Sequence, residues 1–258
     1  MEIYGLTDRG VVREANEDSI GISRTKNGIT IAVVCDGMGG AAGGRIASEI
    51  AEETFMSSML SCTDEMEQLK FDSKKVKALI GEAASKANAA VLAKARDDLS
   101  LFGMGCTLNA IVYIEPQNRL YYVNVGDSRL YMITKKEIKQ LTKDHSYVQM
   151  LVDNNEITPE EAENHPQKNL ITKALGIKDD IEPDVSDKKL APKSESHFLL
   201  CSDGLHGLIK REVLKEVALS DTSIHEKIFS YIRLANEAGG TDNISAILLS
   251  IKNEEVSK

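Results

Sequence analysis

The most informative stretch of the chain is Ile29-Thr-Ile-Ala-Val-Val-Cys-Asp-Gly-Met-Gly-Gly40. Its first seven residues form a β-branched and apolar run, which is short enough for a buried strand. Asp36 and Gly37 follow at once, and Asp-Gly alone is a common turn dipeptide, because glycine tolerates positive φ and aspartate bonds its own backbone. The stretch therefore predicts a buried strand that ends in a carboxylate.

Strand-like and helix-like patterns are interleaved on both sides of this stretch. Apolar runs predict strands at 29–35, 106–114, 120–125, 129–133, 197–201 and 244–251. Amphipathic spacing predicts helices at 45–60, 72–98, 148–153, 210–219 and 224–238. Short turns between successive strands favour antiparallel pairing, and we expect 129–133 to pair back on 120–125 across the turn at 126–128. Helix pairs would then cover the outer faces of the sheets.

Composition narrows the class of protein. The chain has 258 residues, enough for one large domain or two smaller ones, and carries 40 acidic and 31 basic residues, a net charge of -9. This balance argues against nucleic acid and anionic membranes as partners. We see no apolar run long enough for a membrane span, no signal peptide, and no disulfide framework in four cysteines. We therefore expect a cytoplasmic protein.

Acidic residues stand at the ends of several predicted strands. Asp36, Asp127 and Asp203 each follow a strand, and Asp242 precedes one. Each alone is explained by a turn or a cap, and the pair Glu17-Asp18 alone by a solvated surface. Together they can converge on one spot, where their mutual repulsion is tolerable only if a cation compensates it. Oxygen ligands without His or Cys favour Mg²⁺ or Mn²⁺ over Zn²⁺.

Seven short motifs, taken together, resemble one family. They are Thr7-Asp-Arg-Gly10, Arg13 with Asn16-Glu-Asp18, Asp36-Gly-Met-Gly-Gly40, Gly103-Met-Gly-Cys-Thr107, Gly126-Asp-Ser-Arg129, Ser202-Asp-Gly-Leu205 and Gly240-Thr-Asp-Asn243. In this order they are similar to the metal-dependent serine/threonine protein phosphatases of the PPM family, 2C type, in its bacterial branch. The resemblance covers nearly the whole chain. It implies an α+β fold, a four-layer αββα sandwich with two central antiparallel β-sheets flanked by helix pairs.

The resemblance also implies a role for each carboxylate. Asp36 would bridge two cations, and the carbonyl of Gly37 would bind the first. Asp203 and Asp242 would bind the second. The remaining acidic positions are Glu17 and Asp18, acting through bound water, and Asp127, which with Asp203 matches a third, weaker site.

Arg13 matches the residue that grips the substrate phosphate, and its planar fork suits two phosphate oxygens at once. The implied reaction is direct attack by a water shared between two cations, with no phospho-enzyme. Met38 and Ala41 replace histidines found in some relatives. The general acid is thus unassigned, and His145 is a candidate whose alternative role is to anchor a flap.

Residues 145–190 are long and irregular, and we expect a flap insertion there, within a single catalytic domain spanning 1–258. Expected partners are phosphorylated proteins and an opposing Ser/Thr kinase, and we expect a monomer. Two other interpretations stay open: a non-catalytic family member that acts as a binding module, and a phosphatase of the divergent sporulation or stress-signalling branch. The intact aspartates disfavour the first, and the lack of length for a sensor domain disfavours the second.

Overall fold

The structure is a computed structural model that describes residues 1–39, 43–68, 70, 72–191 and 195–252. Within these residues the strands are β1 (Glu2–Asp8), β2 (Asp18–Arg24), β3 (Ile29–Met38), β4 (Gly105–Cys106), β5 (Leu108–Ile114), β6 (Arg119–Val125), β7 (Arg129–Ile133), β8 (Ile138–Gln140), β9 (Asp184–Lys189), β10 (Glu195–Cys201) and β11 (Ile244–Lys252). The α-helices are α1 (Gly43–Ser61), α2 (Thr63–Gln68), α3 (Ser73–Asp97), α4 (Tyr147–Asp153), α5 (Pro159–Glu163), α6 (Asp203–His206), α7 (Arg211–Leu219) and α8 (Ile224–Glu237).

The strands form two antiparallel sheets. One sheet has the order β1-β11-β10-β7-β8, and the other has the order β2-β3-β5-β6-β9, with β4 paired to β3. Helices α1 and α3 pack on the second sheet, whereas α6 and α8 pack on the first and α7 lies against β8. This arrangement confirms the predicted α+β fold with two central antiparallel sheets flanked by helices.

Three apolar cores separate the four layers, and the central strands contribute to two of them. In β3, Ile31 and Val33 face the core under α1 and α3, whereas Ala32 and Val34 face the core between the sheets. β10 and β11 alternate in the same way between the core under α8 and the core between the sheets. Because both faces are buried, these strands read as continuous apolar runs in the sequence.

One predicted strand pair is wrong. Residues 129–133 do not return to pair with 120–125, because β5 and β9 occupy both edges of β6. Instead β7 pairs with β10 and β8 in the other sheet. The turn at 126–128 therefore carries the chain from one sheet to the other, and it brings the two sheets together at the end where Asp127 lies.

The segment 145–190 is more regular than its sequence indicates. It contains α4, α5 and, at its end, the edge strand β9. β9 was missed because Asp-Val-Ser-Asp-Lys-Lys is polar, as befits an edge strand whose Asp187 pairs with Lys77 and Arg119. Among the described helices, none combines the length and the apolarity that a membrane crossing requires.

Candidate active site

The predicted acidic residues lie at one end of the sandwich. Asp18 begins β2 and is the register partner of Asp36 in β3. Asp127 follows β6, and Asp203 follows β10. Because the last residue of β10 pairs with the first residue of β7 and with the start of β11, Asp242 joins them at the same end.

Burial and mutual repulsion keep these carboxyls from ionising freely. Burial is the largest cause that raises the pKa of Asp18 to about 7 and the pKa of Asp127 to about 8. Burial also raises the pKa of Asp36 well above its ordinary value, and the negative charges of Asp18, Asp203, Asp127 and Asp242 raise it further. The five aspartates therefore form one electrostatic unit.

Two carboxylate oxygens in this unit have no hydrogen-bond partner among the described residues. Asp18 Oδ2 accepts hydrogen bonds from Ser202 Oγ at 2.9 Å and Ser245 Oγ at 2.5 Å. Its Oδ1, in contrast, is buried without a partner among the described residues, and so is Oδ1 of Asp127. A buried, unpaired carboxylate oxygen is costly, so these two atoms point to a ligand that the protein itself does not provide.

The side chains are not yet gathered around one point. In the described part of the chain, no three His, Cys, Asp or Glu side chains form a group that could hold an ion as they stand. Several of the carboxyls are turned toward protein partners: Asp242 toward Arg13, and Asp36 and Asp203 toward each other through a hydrogen bond. The aspartates supply the oxygen ligands that Mg²⁺ and Mn²⁺ prefer, but side-chain rotation is needed to enclose a cation.

Thr107 fixes the backbone of Asp36. The N–H of Asp36 donates to Thr107 Oγ1 at 2.9 Å, and the N–H of Thr107 donates to the carbonyl of Asp36 at 2.8 Å. Thr107 Oγ1 also bonds Ser128 Oγ at 2.8 Å, next to Asp127. The motif that ends at Thr107 thus links the strand of Asp36 to the turn of Asp127, a role that the sequence did not reveal.

Glycines let the backbone approach closely at two of these motifs. Gly126 has φ +104°, and a Cβ there would lie 2.5 Å from Thr107 Cγ2. A Cβ on Gly37 would collide with the carbonyls of Gly44 and Glu17. Of the motif at 36–40, Gly40 lies outside the described residues, as does Ala41.

Asn243 ties the loop that carries Arg13 and Glu17 to the cluster. Its side-chain amide donates to the carbonyls of Arg9 and Ala15, and its Oδ1 accepts from the N–H of Glu17 at 2.8 Å. Arg13 Nη2 donates to Asp242 Oδ2 at 2.8 Å, with half of the Arg13 side chain exposed. The guanidinium is therefore both near the carboxylates and open to solvent.

Cys35 precedes Asp36 in β3, Cys106 is the register partner of Gly37 in β4, and both cysteines are fully buried. Burial raises the pKa of Cys35 well above its usual range, so it stays a thiol. It is therefore a poor nucleophile at neutral pH.

Comparison with known proteins gives a consistent result. The sequence pattern of the family "Protein phosphatase 2C" matches residues 11–248. The protein phosphatase PhpP of Streptococcus pneumoniae is 35% identical over 264 residues, which cover 99% of each chain. The chain therefore belongs to the protein phosphatase 2C family.

Solved structures agree with this assignment. The serine/threonine phosphatase Stp1 from Staphylococcus aureus has a TM-score of 0.86 at 31% identity, over 97% of this chain and 95% of that chain. The catalytic domain of the phosphatase PstP, solved with two manganese ions, has a TM-score of 0.80 at 32% identity, over 97% of this chain and 98% of that chain. The expected family, fold and enzyme class, a metal-dependent serine/threonine protein phosphatase, are confirmed.

Proposed function

We propose that the clustered aspartates hold divalent cations, Mn²⁺ or Mg²⁺, and that the site hydrolyses phosphoserine and phosphothreonine in proteins. The observation that carries this proposal is a pair of buried oxygens, Oδ1 of Asp18 and Oδ1 of Asp127, that find no partner in the described part of the chain and lie within a cluster of repelling carboxyls. A cluster of this kind binds cations because they remove both the repulsion and the cost of the unpaired oxygens.

The chain offers ligands for two cations in one core site and for a third cation beside it. We assign Asp36, the carbonyl of Gly37, Asp203 and Asp242 to the first two. Glu17 and Asp18 would act beside them through bound water. Asp127 would hold a third cation with Asp203, whose charge is, after burial, the next cause of the raised pKa of Asp127.

Bound cations of this type lower the pKa of water and neutralise charge on a phosphoryl group. We assign water, and no side chain, as the nucleophile, since the nearest thiol, Cys35, is buried and protonated. Arg13 would bind two oxygens of the phosphate through its planar fork. In the structure it pairs with Asp242, so substrate binding would exchange or share this ion pair.

Partners follow from the enzyme class. We propose that the substrates are phosphorylated proteins, produced by an opposing Ser/Thr kinase, and that the enzyme works as a cytoplasmic monomer. Residues 145–190, which contain α4, α5 and β9, would form the flap over the bound protein. The relative PhpP, a protein phosphatase of similar length, supports phosphorylated proteins as the substrates.

The test is hydrolysis of a phosphothreonine peptide and of p-nitrophenyl phosphate with Mn²⁺, with Mg²⁺ and with EDTA. We expect turnover with either cation and none in EDTA; full activity in EDTA would refute the metal site. Arg13→Ala should raise KM for the peptide. Arg9→Ala is the matched control, because Arg9 is exposed and donates only to the carbonyl of Glu14 among the described contacts.

A further inference from the structure

Two histidines hold the backbone of the turn that carries Asp127. We propose that His206 and His145 are positioning residues, which fix the Gly126–Asp127 peptide and thereby aim the carboxylate of Asp127 at a third cation shared with Asp203. This inference rests on the proposed function, because the third cation is part of that proposal.

His206 holds the carbonyl of Asp127. Its Nε2 lies 3.0 Å from that carbonyl oxygen, and because a carbonyl only accepts, this ring nitrogen must carry the proton. His206 is the last residue of α6, whose first residue is Asp203. Residues three apart on a helix share a face, so one helical turn sets both Asp203 and the contact that holds Asp127.

His145 holds Gly126 through both backbone groups. The N–H of His145 donates to the carbonyl of Gly126 at 2.9 Å, and its ring Nδ1 accepts from the N–H of Gly126 at 3.0 Å. The ring proton is therefore on Nε2, which donates to Asp184 Oδ2 at 3.1 Å. Asp184 begins β9, so the histidine joins the turn to the end of the second sheet.

The two histidines restrain the turn, yet one carboxylate oxygen of Asp127 has no partner among the described residues. The N–H of Gly126 and the carbonyls of Gly126 and Asp127 are all held, the Gly126 carbonyl also by Asn124 Nδ2 at 3.1 Å. Oδ1 of Asp127, in contrast, is buried with no partner among the described residues. A protein that fixes the backbone so fully and leaves the carboxylate oxygen bare has prepared a ligand position. A histidine on each side of the turn performs this task without itself binding the ion.

The experiment is calorimetric titration of the metal-free full chain with Mn²⁺. Wild type should bind three cations, the third more weakly. His206→Phe keeps a ring but loses the donor, and we expect its third site to weaken about tenfold, with the first two within about twofold. His206→Gln restores an N–H donor and should recover most of the affinity.

A second pair of variants covers the case in which His206→Phe does not fold. His145→Leu should also weaken the third site, and His145→Asn, whose Oδ1 can accept from the N–H of Gly126, should restore it. The matched control is His197→Phe, because His197 is a buried histidine at the other end of β10 and should leave all three affinities unchanged.

Wild-type affinity for the third cation in both His206→Phe and His145→Leu would overturn the inference, and so would a wild-type titration that ends at two cations. A titration that ends at two cations would also remove the third cation from the proposed function. The hydrolysis itself is tested separately, by EDTA-sensitive cleavage of the phosphothreonine peptide in the same preparation. Loss of that hydrolysis in wild type with three cations bound would refute the function and leave the positioning role standing.

Discussion

The two ends of strand β10 carry their charged groups in different states. At its first residues, Glu195 pairs with Lys252 at 3.2 Å and His197 bonds Ser250 Oγ at 2.8 Å. Burial alone would raise the pKa of Glu195, but the hydrogen bond and the positive charge of Lys252 lower it below its ordinary value. Asp203 lies two residues beyond the last residue of β10. Burial and the negative charge of Asp242 both raise the pKa of this carboxyl.

This difference separates charges that the fold satisfies from charges that await a ligand. At the far end of the sandwich, where β10 begins, acidic and basic side chains pair with each other within the chain. The near end, where Asp36, Asp127 and Asp203 lie, brings together carboxylates that repel one another. Two of the buried carboxylate oxygens there find no partner among the described residues. The near end is therefore expected to cost stability in the metal-free protein and to provide activity in the loaded one.

The largest contrast is expected between a carboxylate of the cluster and a carboxylate that ion pairs already satisfy. Asp36→Asn should lower kcat by about 1,000-fold or more and should raise the melting temperature of the metal-free protein, because it relieves repulsion. Asp187→Asn breaks the contacts to Lys77 and Arg119; it should cost about 1 kcal/mol of unfolding free energy and leave kcat within about twofold. Steady-state kinetics and thermal unfolding measure both. Equal effects of the two variants on kcat would contradict the comparison.

A smaller effect on rate is expected at Thr107, whose hydroxyl accepts from the backbone N–H of Asp36 and bonds Ser128 Oγ. Thr107→Val removes the acceptor for the N–H of Asp36 while keeping the volume, and we expect kcat to fall about 30-fold. Thr107→Ser keeps the hydroxyl and should stay within about threefold of wild type. If valine and serine behave alike, the hydroxyl does not position Asp36.

The dependence of the melting temperature on pH should distinguish the near end from the far end without an activity assay. Asp18 and Asp127 have folded-state pKa values of about 7 and about 8, above the unfolded value near 4. The folded protein thus binds more protons between pH 4 and 8, and its stability falls as pH rises through that window. We expect the metal-free protein to melt about 10 °C lower at pH 8.5 than at pH 5.5.

Saturating Mn²⁺ should abolish or reverse that slope, because it stabilises the ionised carboxylates. The double variant Asp18→Asn with Asp127→Asn should flatten it without metal. A metal-free melting temperature that is constant across the window would show that these carboxyls are not strained as described.

The smallest effect is expected at the far end, at His197, where stability should depend on pH in the opposite direction. Burial lowers the pKa of His197 to about 4, below the unfolded value near 6.5. Between about pH 4 and pH 6.5 the unfolded chain binds more protons than the folded protein. The folded protein therefore loses stability as the pH falls from about 6.5 to about 4. We expect a decrease of about 3 °C over that range, absent in His197→Gln and measured with Mn²⁺ present in both proteins.

The sequence predicted the parts of the molecule that depend on local patterns. The helix 72–98 was found almost to the residue, because its spacing is regular and Asp72 accepts a hydrogen bond from the N–H of Lys75. The buried strands at 29–35 and 244–251 were visible because burial on both faces makes most of their residues apolar. The grouping of the aspartates followed from their place at strand ends.

The missed features depend on contacts between distant parts of the chain. Residues 129–133 read as a hairpin partner of β6, since nothing in that stretch shows that β9 would take the edge of β6. The hold of Thr107 on Asp36 joins residues 71 positions apart, and that of His206 on Asp127 joins residues 79 positions apart. The sequence singled out His145, as a candidate general acid or flap anchor, but it did not show that His145 holds Gly126.

The most direct measurement is anomalous diffraction from a crystal grown with Mn²⁺. The account predicts two strong manganese peaks at the near end of the sandwich, with carboxylate oxygens of Asp36 about 2.1 Å from both, and a weaker third peak beside Asp127. A fully occupied manganese site elsewhere, or no peak within reach of Asp36 at saturating Mn²⁺, would contradict it.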